Sequence, residues 1–244
     1  MCGRYSQTLD LAEVVKRFGL KQAPFSAKPS FNIAPGAQAP VVCHAGLRLL
    51  KWGFIPAWSI SPAGPGGSLP LFAAGNTLEK KFSSDTAPES EAVPQEREGF
   101  INARAEGIAS RPAFRSAFYH TRCIIPADGF YEWQSSAGAK TPYRFEMRDK
   151  GLFGMAGVYE EKTGTYAIIT AAASALVRTV HNRMPVILER RHEAQWLNPK
   201  FRDMETLLPL LRAYDSSLMH GYRVSDAVND PKNDSADCLK PAQG

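Results

Sequence analysis

Apolar positions follow different rhythms in the two halves of the chain. Between residues 10 and 19 they recur at helical spacing: Leu11, Val14, Val15 and Phe18 share a face, Asp10 and Glu13 make a capping box ahead of it, and Gly19 is the stop. Residues 39–42, entered through Pro35-Gly36, and 47–54 then read as extended runs. Beyond residue 120 extended runs dominate. Residues 123–133 read as a hairpin turning at Asp128-Gly129, and 143–147, 152–159 and 166–171 read as further strands separated by turn-rich segments. Short helices are expected at 112–118, with Pro112 in the first turn, at 192–197, and at 204–211 behind an Asp203 cap. The polar stretch 224–241 reads as loop. The sum is a substantial antiparallel sheet or barrel with a few helices around it.

One stretch breaks the pattern. Residues 59–99 are rich in Pro, Gly, Ser and Glu, far longer than an ordinary loop, and read as an insertion, a lid or a disordered segment in which only 69–82 is apolar enough to dock. The remaining composition, 44% apolar and 22% charged over 244 residues, is that of a globular protein with a real core. A net charge of +5 fits a nucleic-acid partner without demanding one. The 4 cysteines are scattered, with no CxxC pair and no zinc-like histidine spacing, so neither a metal site nor a disulfide framework is expected. The longest apolar run, 166–177, is too short to span a bilayer, and no secretory pattern opens the chain; a cytoplasmic protein with reduced thiols is expected.

Candidate chemistry begins at Cys2. With Met1 removed, its thiol and α-amine form a 1,2-aminothiol, with ordinary pKa values of ~8.5 and ~8. Such a pair condenses with an aldehyde to an imine and closes to a thiazolidine, or serves as an N-terminal nucleophile on an amide. Glu132, between Tyr131 and Trp133, reads either as an outward charge on an alternating strand or as a desolvated carboxylate with a raised pKa. Asn102, Arg104 and Glu106 would share one face of a strand, as a solvated edge or an anion-binding row. His181 opens a polar trio before an apolar run, where a histidine is a structural hydrogen-bonder as often as a catalyst. Trp58 and Trp52 are candidate platforms for an unpaired base, and Asn32 reads locally as a turn residue.

Cys2-Gly3-Arg4, Asn32-Ile33-Ala34-Pro35, Trp52-Gly53-Phe54-Ile55-Pro56, Ile101-Asn102-Ala103-Arg104, the run from Ala127 to Trp133, and His181-Asn182-Arg183-Met184-Pro185 occur in this order. The set resembles the SOS-response-associated peptidase family, also called abasic-site processing proteins, from Cys2 to about Pro241. The resemblance implies a single α+β domain, residues 2–241, built on a curved antiparallel sheet with a basic DNA-binding groove. It also implies a DNA-damage sensor that captures abasic sites in single-stranded DNA, or at single-strand/duplex junctions, as a covalent thiazolidine adduct on Cys2. Glu132 would move protons, Asn102 position the reacting groups and His181 act as acid/base or hold the sugar. DNA contacts would come from Arg4, Asn32, Pro35, Trp52, Trp58, Arg104, Arg111 and Thr170. No cofactor or metal is implied, and the protein would act as a monomer. Where some relatives carry a second tryptophan after the wedge, this chain has Ser59.

Two other classes compete. Glutamine amidotransferases also begin Met-Cys-Gly, but their Asn-Gly oxyanion element and Asn-His-x-Glu-Leu-Arg segment are absent here. A non-covalent single-strand-binding module would leave Cys2 without a role.

Overall fold

The computed structural model describes residues 2–60, 99–136 and 138–242, so the insertion read at 59–99 lies almost entirely outside the described residues, its apolar stretch 69–82 included. The described strands are β1 (Arg4–Gln7), β2 (Ser30–Ile33), β3 (Gln38–Cys43), β4 (Gly46–Trp52), β5 (Asn102–Arg104), β6 (Arg122–Ala127), β7 (Gly129–Ser136), β8 (Ala139–Met147), β9 (Phe153–Glu160), β10 (Thr165–Ala172), β11 (Arg183–Pro185), β12 (Ile187–Leu188) and β13 (Met219–Arg223). The α-helices are α1 (Leu11–Arg17), α2 (Pro112–His120), α3 (Ala175–Arg178), α4 (Arg190–Leu197) and α5 (Met204–Leu207).

The strands form two sheets. One runs β13-β8-β7-β1-β2. The other runs β11-β10-β4-β3-β6-β9-β12, and an extra pairing of β9 with β10 closes its middle into a ring, as the barrel reading expected. The first sheet is antiparallel throughout, whereas the second is mixed: β10 runs parallel to both β4 and β5. The class is α+β, with few helices around dominant curved sheets.

The expected hairpin across Asp128-Gly129 does not form. β6 pairs with β3 and β9 in one sheet and β7 with β1 and β8 in the other, so the dipeptide is the step between sheets. A hairpin turn needs positive φ, and Gly129 is not among the residues that have it. Instead the buried Asp128 carboxylate accepts from Ser6 Oγ at 2.5 Å and from Thr8 N at 2.5 Å, and pairs with Arg144 at 2.9 Å. Gly129 is needed for space, since a Cβ there would lie 2.5 Å from the Arg144 guanidinium.

The local end signals read from sequence are present. Asp10 accepts from Glu13 N while the Glu13 carboxylate receives Asp10 N, and Asp203 accepts from Thr206 N at 2.7 Å. The helix expected over 204–211 is α-helical only to Leu207 and continues as a 3-10 turn, Leu208–Leu210, because Pro209 has no N–H to donate. β13 was not anticipated; its His, Gly and Arg carry no strand signal, and Gly221 is there because the Phe145 ring would meet a Cβ at 2.6 Å. Beyond it, 224–241, read as loop, contains two 3-10 turns, Asp226–Asn229 and Ala236–Leu239, and is firmly packed. Val228 and Cys238 are buried against Tyr131, and the Asp234 carboxylate accepts from Phe31 N and Asn32 N at the edge of β2.

Candidate functional site

The site lies where the two sheets face each other. β1 pairs with β7 through Arg4↔Tyr131 and Tyr5↔Phe130, which brings the residues ahead of β1 beside Glu132. Alternation along β7 then sorts its side chains. Phe130 joins the core cluster that contains Cys2, whereas Tyr131 and Trp133 pack on the far face against the C-terminal segment. Glu132 shares Phe130's side of the strand and is only 2% exposed. The outward-charge reading therefore fails, and the desolvation expected from its aromatic neighbours comes instead from the core opposite them. Burial pushes the Glu132 carboxyl up to about 7.

Two further groups converge on this carboxylate and Cys2. β5 lies parallel to β10 in the register Asn102↔Ile168, and Asn102 donates from Nδ2 to the Cys2 carbonyl at 2.8 Å. The buried Oδ1 of Asn102 accepts no hydrogen bond among the described residues. His181 Nδ1 stands 3.8 Å from Glu132 Oε2. The same nitrogen is 3.0 Å from Arg183 N and 3.2 Å from Arg183 O, so backbone holds the ring in either tautomer. Burial lowers the His181 pKa, favouring neutral imidazole. The Cys2 thiol is fully buried, and burial together with the Glu132 charge raises its pKa well above the ordinary value. A thiol so placed is not a standing thiolate. It needs a base as it reacts, and a carboxylate titrating near neutrality is beside it.

Below Cys2, the Tyr5 and Tyr166 hydroxyls share a 2.7 Å hydrogen bond, and Trp52 packs edge-on to Tyr5 and stacked on Tyr166. Trp52 is a core residue, its Nε1 donating to Ile101 O at 2.8 Å; no ring face is open to a base. Trp58, in the short 3-10 turn Ala57–Ser59, is 46% exposed. Arg4 is turned to the other face of the sheet, donating to Asn32 Oδ1 at 2.8 Å and Val228 O at 2.9 Å over the Trp133 ring. Asn32 is more than the turn residue its local sequence suggests. Its Nδ2 reaches the carbonyls of Val228, Asp230 and Asn233, tying the C-terminal segment to β2. Pro35 is exposed in the turn that Gly36 completes at φ +87.

Arg104 and Arg111 are exposed, on β5 and just ahead of α2. The row expected at 102, 104 and 106 does not form, because the strand ends at Arg104 and Glu106 enters a 3-10 turn. Glu106 pairs with Arg183 at 2.5 Å, which lowers its carboxyl pKa. Arg183 also donates to Thr170 O at 2.6 Å, and Thr170 is buried. Sequence reading left Arg183 without a role although it stands two residues from His181; the Tyr5–Tyr166 pair, 161 positions apart, had no local signal. Among the described residues no three His, Cys, Asp or Glu side chains are grouped to hold a metal, and no helix is long and apolar enough to cross a membrane.

The family model described as SOS response associated peptidase (SRAP) matches residues 1–231. The abasic site processing protein YoaM of Bacillus subtilis is 34% identical over 255 residues, covering 98% of this chain and 97% of that one. The abasic site processing protein HMCES of Gallus gallus is 26% identical, covering 100% of this chain and 78% of its own length. A crystal structure of a protein from Bacteroides thetaiotaomicron shares the fold with a TM-score of 0.75 at 24% identity, over 99% of this chain and 100% of that one.

Proposed function

Because the chain belongs to the SOS response associated peptidase (SRAP) family, we propose that it processes abasic sites in DNA, capturing the open-chain aldehyde of single-stranded sites on Cys2. The observation that carries this reading is the convergence of Cys2, Asn102, Glu132 and His181 in one cluster, Cys2 and Glu132 buried and Asn102 and His181 half-buried beside them. Hydrolysis of the Met1–Cys2 amide comes first and frees the α-amine. That amine condenses with the aldehyde, forming C=N and releasing one water. The Cys2 sulfur then bonds to the imine carbon while its proton passes to the nitrogen, closing a five-membered thiazolidine that no longer undergoes β-elimination.

Each residue has a step. Glu132, with a pKa of about 7, exists in both forms at neutral pH, so it can donate as water leaves and accept as the thiol adds. Neutral His181 beside it holds or relays the proton. Asn102 fixes the Cys2 carbonyl and keeps Oδ1 as an acceptor for the reacting group. Arg104 and Arg111 grip phosphates and Trp58 stacks on a base, giving binding with little sequence preference. Arg4, Asn32 and Trp52 act from behind, shaping the wall. The setting is the cytoplasm, where thiols stay reduced.

The test is intact mass after mixing the protein with a single-stranded oligonucleotide carrying one abasic site. A heat-stable adduct at the summed mass less one water, absent from Cys2→Ala, is expected. No adduct from protein that has lost Met1 would refute the proposal and leave the N-terminal hydrolase reading to be assayed with amide substrates.

A further inference from the structure

Away from the Cys2 site, where β12 runs into α4, two cavities of about 640 and 200 Å³ adjoin and share Arg190, Tyr214 and Leu218 as lining. Their combined surface has two chemistries. The floor is apolar, with Ile187, Leu210 and Ala213 on one side and Leu152 and Phe153 on the other. Leu218 stands 52% exposed at the junction. The rim is basic, with Arg190, Arg191 and Arg212 around the larger cavity and Arg148 at the smaller.

The rim's charges are not balanced by its acids. Glu189 lies between two guanidiniums, 2.7 Å from Arg212 and 2.6 Å from Arg191, and the Arg212 hydrogen bond leads in lowering its pKa. Asp149 and Asp215 turn to the backbone N–H groups of Gly151 and Ser217, each at 2.9 Å. Among the described residues neither Arg190 nor Arg148 has a carboxylate partner, Arg148 donating instead to Ser217 O at 2.8 Å.

We infer that this groove docks an acidic peptide segment of a partner protein that also carries bulky apolar side chains. Glu189 is the internal precedent, a carboxylate already gripped by Arg191 and Arg212, and the fork geometry of arginine suits carboxylates. The apolar floor decides against nucleic acid. A phosphate backbone would engage the rim but leave Leu218 and its neighbours uncovered, whereas Leu or Phe side chains of a peptide would bury them. The cavity volume is that of a site for a few side chains rather than a broad electrostatic face. The inference is independent of the chemistry at Cys2, none of whose residues lines the groove.

The experiment is fluorescence anisotropy on the full chain with three fluorescein-labelled peptides: Asp-Asp-Glu-Leu-Phe, its neutral counterpart Asn-Asn-Gln-Leu-Phe, and Asp-Asp-Glu-Gly-Gly. Saturable binding is expected for the first alone, weakening as salt is raised. Roughly tenfold loss is expected in Arg190→Ala/Arg212→Ala and again in Leu218→Asp, all surface changes that leave the melting temperature in place. Equal binding of the neutral peptide, no binding of the acidic one, or unchanged affinity in both variants would overturn the inference. A labelled oligo-dT that displaces the acidic peptide and loses the same affinity in both variants would also overturn it, reassigning the face to DNA.

Discussion

Asn102 donates to the carbonyl oxygen of Cys2 across 2.8 Å although the two residues are 100 positions apart in the chain. That bond joins a sheet-edge strand to the start of the chain and sets where the thiol sits. Asn102→Ala should slow adduct formation about 10²-fold, the cost of a small misplacement of a reacting group. Affinity for an intact single strand should change little. Quenched-flow crosslinking beside anisotropy separates the two, and equal losses in both would make Asn102 a DNA contact instead.

Glu132 ties catalysis and stability to the same proton. Its folded pKa is raised to about 7, so the stability of the protonated form is fully present below the unfolded carboxylate value and is lost as pH rises through 7. Relative to the parent, Glu132→Gln should gain up to about 3 kcal/mol at pH 8 and little at pH 4. It should also slow capture and remove any inflection near pH 7 from the rate profile. Urea unfolding across pH, read beside crosslinking rates, checks both; parent-like kinetics in well-folded Glu132→Gln would take Glu132 out of the mechanism.

Asn32 holds three carbonyls of the C-terminal segment and receives Arg4. Asn32→Ala should cost about 3 kcal/mol in stability, because it leaves several buried polar groups without partners. Capture measured well below the melting temperature should stay within a few-fold of the parent. A large rate loss with an unchanged melting temperature would instead mark Asn32 as a substrate contact.

Trp52 and Trp58 should divide by burial. Trp58→Ala is expected to weaken single-strand binding by about 1–3 kcal/mol with the melting temperature unchanged. Trp52→Ala should destabilise by about 3–5 kcal/mol, since it removes the buried ring packed against both Tyr5 and Tyr166. Thermal melts and anisotropy on both variants decide.

At Gly129 the constraint is room for a guanidinium. Gly129→Ala would drive a methyl against Arg144 and disturb its pairing with Asp128, with an expected cost of about 2–3 kcal/mol in chemical denaturation.

What was legible in the sequence was local or alternating. The Asp10–Glu13 capping box and the Asp203 cap depend on residues three apart, and most of the strands on their own apolar pattern. The Asp128-Gly129 step is ambiguous in sequence because a hairpin and a crossover begin with the same dipeptide; distant Ser6, Thr8 and Arg144 decide between them. Glu132 stands out in sequence for its aromatic neighbours, yet those rings face away from it and burial comes from across the sheets. The Glu106–Arg183–Thr170 linkage had no signature, because it joins three elements through side-chain ends.

β1 enters its sheet at Arg4, locked opposite Tyr131. The site therefore depends on a length as well as on side chains. One residue inserted between Gly3 and Arg4 would carry Cys2 about 3.3 Å along the strand direction and turn it to the opposite face. Such a chain would keep every catalytic side chain and the strand pairing from Arg4 onward, yet be chemically silent. The count of residues ahead of the sheet is therefore part of the site, a quantity that no single substitution can alter or repair.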